Sequence, residues 1–505
     1  MNRHPSTLLR TIRFVLTLAL VFLAVVSRAP AADDRFEPVR ERIAKALVDH
    51  GIPSIAVAVA HKGEIVFEQG FGWADRENRI AADQHTLYSL ASISKPITAT
   101  GLMVLVERKK LELDKPANDY LGVAKLVARR GDAHDATLRR VANHTAGLPL
   151  HYQFFYADET YHPPTRDETI RRFGNLVTAP GEHYQYSNLG YGILDYVIER
   201  ASNKPYADFM REEVFLPLGL AHMSVDVGPG LEPHQAIRYM PDGRRIPFYQ
   251  FDHAGASAVY SSAHDLARFA MFHMKEHLSD QKAILSDAAI DEMQKATIET
   301  GPSGGYGVGW GSGINGHGYK FVQHSGGMPG VSTICTLYPG ERLAIVVLCN
   351  ARNPVGNYLG EMLLKIMLPE KGPEKRPDSP RTNDAATPLS SELAGTWRGK
   401  IVTHHSELPL VLEVKDDKDV HVKLDDQLET LLSGARFQDG WLRGTFAGDL
   451  GTDDDRGRDY HLHLEAKLRD DTLSGPITAM TLPDAWGSNA VTHWVELERE
   501  KPASD

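Results

Sequence analysis

The chain has 505 residues, with 55 Lys+Arg against 66 Asp+Glu and a formal charge of −11 at pH 7. That length gives room for roughly two to four domains, and 42% hydrophobic with 24% charged residues excludes a disordered, collagen-like or multi-span membrane protein. The acidic balance excludes a general nucleic-acid binder, and two cysteines, Cys335 and Cys349, are too few for a disulfide scaffold or a Cys-rich zinc site.

The first 31 residues read as a secretion signal. Arg3, Arg10 and Arg13 form a basic start, Phe14–Val26 is uncharged and apolar, and Ala29-Pro30-Ala31 is a small-x-small cleavage site. The apolar core is shorter than the ~20 residues of a spanning helix. Export to the periplasm or outside the cell is expected, with no stable membrane insertion after cleavage. A helix is expected near Phe36–Asp49, stopped by Gly51. Ser54–Ala60 and Ile65–Gln69 read as a hairpin, and helical patterns then dominate to about residue 300. A second hairpin follows, with arms Val331–Leu337 and Leu343–Leu348. Strands at both ends with helices between predict an α+β domain over 36–368 whose sheet joins distant parts of the chain.

Prolines 369, 373, 377, 380 and 388 mark a linker over 369–388. Beyond it, Leu410–Val414, Val420–Leu424, Trp441–Phe446, Tyr460–Leu468 and Thr492–Leu497 are short, alternating and separated by Gly/Asp turns. Such spacing predicts an antiparallel β-barrel or sandwich over 389–505. Charge divides there too: residues 389–505 carry 13 Lys+Arg and 23 Asp+Glu, so nearly all the net charge is theirs.

Three stretches could carry chemistry. In Ser92-Ile93-Ser94-Lys95 the apolar residues that follow predict a buried helix with Pro96 in its first turn. Positions three apart share a helix face, so Lys95 would meet the Ser92 hydroxyl, a nucleophile that needs a neighbouring base. In Tyr186-Ser187-Asn188 a phenol can relay a proton, and an amide can hold both the lysine and a substrate carbonyl; an aromatic packing turn is the bland reading. His324-Ser325-Gly326-Gly327-Met328-Pro329-Gly330 precedes the Val331 strand, where small residues let a substrate backbone approach and expose N–H groups; a flexible loop is the alternative.

In this order, at gaps of 91 and 136 residues, these stretches resemble the S-x-x-K, Y-x-N and K-T-G or H-x-G motifs of the serine β-lactamase and penicillin-binding-protein superfamily. The likeness is nearest to its class C β-lactamase-related esterases and peptidases. It extends to Asn143–Pro149, Ser261–Phe269 and Tyr306–Gly311, and covers roughly residues 36–368. The resemblance implies a β-lactamase/transpeptidase-like fold and a serine hydrolase with Ser92 as acylated nucleophile, Lys95 as activating partner and Tyr186 as general acid/base. Asn188, His324, Ser325 and Gly326 would bind substrate, and the N–H groups of Ser92 and Gly327 would form the oxyanion hole. It implies no metal or organic cofactor and a small-molecule or peptide substrate. His324 and Ser325 stand where many members have Lys and Thr. A neutral imidazole pairs weakly with a carboxylate, so ester or amide hydrolysis is expected over efficient β-lactam hydrolysis. The alternatives are a DD-peptidase or D-aminopeptidase, a true β-lactamase, or a ligand-binding sensor without turnover. Leu393–Gly399, with its Gly-x-Trp, is similar to the start of lipocalin-like barrels found in some relatives.

Other candidates are read as structural. His144 lies in an expected surface helix and loop over Thr137–Gly147. His264, His273 and His277 are expected on one solvated helix without a third metal ligand. Asp453-Asp454-Asp455 is expected to be an acidic turn rather than a calcium loop. Cys335 and Cys349, on two arms of one hairpin but not opposite, are expected unpaired.

Overall fold

The computed structural model describes residues 34–228, 230–301, 304–372, 389, 391–416, 419–482 and 489–500. The expected leader at 1–31 lies outside these residues, as does the linker from 373 to 388.

The first helix, α1 (Glu37–Asp49), buries Val39, Ile43 and Ala46, a stripe with helical spacing. It ends at His50 and Gly51, the glycine taking a φ of +61°. Strand β1 (Ser54–His61) then pairs with β2 (Glu64–Asp75), which runs beyond the expected Gln69 through Gly70–Asp75. Along β1, Ala56, Ala58 and Ala60 face one core while Ile55, Val57 and Val59 face another. A strand covered on both faces reads as one continuous apolar run, as SIAVAVA does.

The strands β3 (Lys320–Met328), β4 (Val331–Tyr338) and β5 (Leu343–Cys349) complete the centre of this sheet. Its order is Ile298–Gly301, Gly304–Tyr306, Gly311–Ile314, β3, β4, β5, β1, β2, Ile80–Ala81, antiparallel throughout. The N-terminal and late strands therefore meet where β1 pairs with β5, as the α+β reading required. Cys335 pairs in register with Val346, and Cys349 with Ser332. The thiols face opposite cores and are free.

One face of the sheet carries α1 and the helix α4 (Val355–Met367). The other carries α2 (Ser94–Glu107), buried from Ser94 to Leu105, and α3 (Asn188–Ser202) packed against it. Burial on every side makes α2 the central helix of the domain. From the first hairpin to about residue 300 the chain is less helical than expected, because short sheets join Phe154–Tyr156 to Tyr249–Phe251 and Tyr88–Ser89 to Val259–Ser261.

The C-terminal strands form a nearly closed nine-stranded antiparallel barrel. All five expected strands lie within it. Gly395–Val402 carries the Gly-x-Trp start, while Thr430–Leu431, Ser433–Gln438 and Thr472–Thr481 were not expected. In the last of these, Ser474-Gly475-Pro476 reads locally as a turn, yet all three residues pair with Trp494–Glu496 and Ser474 also pairs with Lys467. Trp397, Ile401, Leu412, Leu442, Leu464 and Val495 are among the side chains filling the interior, the packed state of a small barrel. The barrel docks through Ala490, whose N–H and C=O both pair with Tyr152, at 2.8 and 2.9 Å. Asp453–Asp455 is a 3-10 turn, but Asp454 is buried at this junction, 3.4 Å from Arg172, rather than solvated.

Candidate active site

Ser92 lies in a 3-10 turn, Ala91–Ile93, that runs into α2 rather than in the helix itself. Ala91 takes a φ of +49°, a left-handed conformation costing roughly 1–2 kcal/mol for a residue with a Cβ. Three bonds hold the turn: Leu90 N–H to Val259 C=O (2.9 Å), Thr333 hydroxyl to Leu90 C=O (2.8 Å), and Val259 N–H to Ser94 Oγ (3.0 Å). Such strain persists where the surroundings over-determine it.

Lys95 is fully buried. Its Nζ lies 3.0 Å from Ser92 Oγ, 2.8 Å from Asn188 Oδ1 and 3.2 Å from the Ala256 carbonyl. Burial drives its pKa well below that of an ordinary lysine. The same helix spacing that places Lys95 over Ser92 turns Thr98 toward the Gly255 carbonyl, to which it donates at 2.6 Å.

Tyr186 and Asn188 flank the start of α3. The Ser187 hydroxyl caps the helix by accepting from Gly190 N–H at 3.2 Å, which leaves Asn188 as the first helical residue, facing Lys95. Burial raises the Tyr186 phenol, and the nearby Ser92 hydroxyl partly offsets that rise. Its ring centre is 4.7 Å from Lys95 Nζ. Behind it, the His144 ring lies 4.5 Å away, and His144 Nδ1 accepts the Ser187 N–H at 3.1 Å. His144 therefore sits in the interior with Asn143 and Thr145, not on the expected surface.

His324 to Met328 lie within β3, not in a loop. The neighbouring strand Gly311–Ile314 pairs only with Lys320–Gln323, which leaves the outer edge of β3 open from His324 onward. The Ser325 carbonyl accepts His324 Nδ1–H at 2.8 Å. Hydrogen-bonding direction alternates along an antiparallel strand, so the main chains of Ser325 and Gly327 turn to the same side. The Pro329-Gly330 turn closes on the Met328–Val331 pair, both of them buried. Because a carbonyl only accepts, His324 Nδ1 carries the hydrogen and Nε2 accepts from Tyr306 OH at 2.9 Å. Burial and the nearby Lys95 push this imidazole down to about 3. Gly326 packs against the Ser92 turn: a Cβ there would stand 2.1 Å from the Leu90 oxygen. The Ser325 side chain leaves the opposite face from His324, into a groove of about 200 Å³ shared with Ser332, Asn353 and Asn357.

Sequence reasoning missed the support under Lys95. The short helix Ala254–Ser257 supplies the Gly255 and Ala256 carbonyls, and Gly255 N–H is held by Asp195 at 2.6 Å. Burial raises Asp195 to about 6 despite Arg166 at 2.8 Å. Next to it, Asp252 takes His151 Nε2 at 2.7 Å and His253 Nδ1 at 2.6 Å. Burial alone would raise Asp252; the two imidazoles pull it well below the usual carboxylate range. Among the described residues, these three form a group whose donor set could suit a metal. Ligand atoms around a tetrahedral zinc, with bonds of ~2.0–2.1 Å, would stand about 3.3 Å apart. The observed spacings are hydrogen bonds and do not fit an ion. The expected histidine face is also corrected. The helix Ala263–His273 ends before His277; His273 is buried against Thr100 at 2.9 Å, and His264 pairs with Glu68 at 2.8 Å.

Residues 39–362 match the family model described as Beta-lactamase. The chain is 28% identical to Penicillin-binding protein 4* of Bacillus subtilis over 58% of its own length and 67% of the relative. It is 27% identical to the unguisins hydrolase ungD' of Aspergillus campestris over 70% of its own length and 69% of the relative. Among solved structures, an octameric penicillin-binding protein homologue from Pyrococcus abyssi aligns with a TM-score of 0.56 at 21% identity, over 90% of this chain and 99% of that one. A β-lactamase/D-alanine carboxypeptidase from Pseudomonas syringae aligns with a TM-score of 0.56 at 20% identity, over 65% and 97%. At those identities the structural matches speak for the fold.

Proposed function

The chain belongs to the Beta-lactamase family, and from that premise we propose that it hydrolyses an ester or amide of a small, uncharged substrate through an acyl-enzyme on Ser92. The observation that carries the reading is the buried Lys95 amine, 3.0 Å from Ser92 Oγ and bonded to no carboxylate. A neutral amine in that position donates its two hydrogens to Asn188 Oδ1 and the Ala256 carbonyl. Its lone pair is then aimed at the Ser92 hydroxyl.

As Ser92 Oγ bonds to the substrate carbonyl carbon, its proton passes to Lys95. The carbonyl oxygen gains the charge and is received by the N–H groups of Ser92 and Gly327. The Tyr186 phenol, whose ring lies against Lys95, hands a proton to the leaving alcohol or amine and recovers it from Lys95. The C–O or C–N bond breaks, leaving an acyl ester. Water then attacks that ester with the same groups in reverse, releasing the acid and restoring Ser92.

His324 favours an uncharged substrate. Neutral at pH 7, it offers no ammonium for a substrate carboxylate. The relatives named for penicillin binding support peptide or lactam substrates as the second reading, and the exported location expected from residues 1–31 would suit either. Purified protein should turn over short-chain nitrophenyl esters faster than nitrocefin or D-alanyl peptides, and Ser92→Ala should abolish turnover. Preference for nitrocefin would replace the esterase reading with a β-lactamase. Equal rates in wild type and Ser92→Ala would remove the mechanism.

A further inference from the structure

The barrel reaches the loop that carries Tyr186. We infer that Glu182, gripped by Lys467 and Arg469 of the barrel, is a positioning residue for Tyr186; the inference rests on the hydrolase reading above.

On its inner side the loop is tied to the domain core. Gly181 N–H bonds the Thr145 carbonyl at 2.7 Å, and Gln185 N–H bonds the His144 carbonyl at 2.8 Å. On its outer side the ties come from the barrel. Glu182 Oε1 accepts Lys467 Nζ at 2.7 Å and Arg469 Nη2 at 3.5 Å, while Oε2 accepts the loop's own Ala179 N–H at 3.3 Å. Next in the chain, the His183 ring stands edge-on to Trp441, with centres 5.8 Å apart. Trp441 and Lys467 are direct cross-strand partners, and Lys467 Nζ lies 5.6 Å from the indole centre. One lysine thus serves both the carboxylate and the ring that receives His183.

Two features separate this grip from an ordinary surface ion pair. The Glu182 and Lys467 side chains are only 26% and 29% exposed, so screening is weaker than at the surface. Their platform is a pair of strands in the barrel wall, stiffer than a loop and suited to fixing a nearby catalytic group. The barrel interior is filled with side chains, so its wall, rather than an internal binding cavity, is what it presents to the site. Glu182 is four residues from Tyr186, and displacements of about 1 Å can cost as much as ~100-fold in rate.

The test uses the full chain. Lys467→Ala combined with Arg469→Ala should lower kcat on a nitrophenyl ester by roughly tenfold, with KM and the thermal midpoint nearly unchanged. It should also speed amide hydrogen exchange over residues 180–188. Lys467→Arg should keep wild-type values, as should Lys400→Ala, which breaks a distant barrel pair with Glu407. Glu182→Gln supplies the same reading from the loop side should the double variant unfold. Unchanged kcat and unchanged exchange in a folded variant would overturn the inference. If wild type turns over nothing, exchange alone decides: faster exchange keeps the brace while the hydrolase reading falls.

Discussion

The polar atoms that meet Lys95 are the Ser92 hydroxyl, the Asn188 amide oxygen and the Ala256 carbonyl, none of them an anion. Burial therefore favours the free amine with nothing to restore the charge. Only that form can take the Ser92 proton, so activity rises as pH rises through the Lys95 pKa. Because that pKa is depressed, kcat/KM should level off well below pH 10.5, the ordinary lysine value. His324, pushed down to about 3, stays neutral across this range and adds no inflection between pH 5 and 9. Lys95→Arg puts a permanently charged guanidinium without a usable lone pair in place of the free amine; it should lose on the order of 10²–10⁴ in kcat. A pH–rate profile of wild type beside Lys95→Arg checks both statements. An Arg variant with wild-type kcat would show that Lys95 is not the base.

At the scale of elements, the site is a junction of three pieces: the turn before α2, the start of α3 and the open edge of β3. Gly326 is where two of them press together. An added Cβ would stand 2.1 Å from the Leu90 oxygen and 2.3 Å from Thr333 Oγ1, the pair that anchors the Ser92 turn. Gly326→Ala should therefore lower both the thermal midpoint and kcat, the latter by about 100-fold if the turn moves by 1 Å. At Gly327 a Cβ meets nothing within 4 Å, so Gly327→Ala should leave the midpoint unchanged. Thermal unfolding of the two variants side by side tests the geometry, and equal midpoints would contradict it. The two hairpins, α1 and the helix that follows Ser92 were legible because their signals are local: alternation, turn residues and a lysine three places after a serine. The placement of His324–Met328 inside β3 was not. Glycines look like loop until the partner strand β4 is known, and that pairing is a property of the sheet.

Across the whole molecule, the acidic surplus belongs to the barrel, yet Arg456, Arg458, Lys467 and Arg469 gather where it meets the N-terminal domain. Arg456 donates to the Phe154 carbonyl at 2.6 Å, Arg458 pairs with Glu159, and Lys467 and Arg469 hold Glu182. Composition alone revealed a second region with a different surface, and not that these four cations gather at the junction. The Ala256 carbonyl and the Asp252 network were equally hidden, since only the fold brings residues 252–256 beneath Lys95. The most direct test of the whole scheme is mass spectrometry of protein quenched in acid during turnover of a nitrophenyl ester. The acyl group should appear on the peptide containing Ser92, and Ser92→Ala should carry none. An acyl group on another residue, or full turnover by Ser92→Ala, would contradict it.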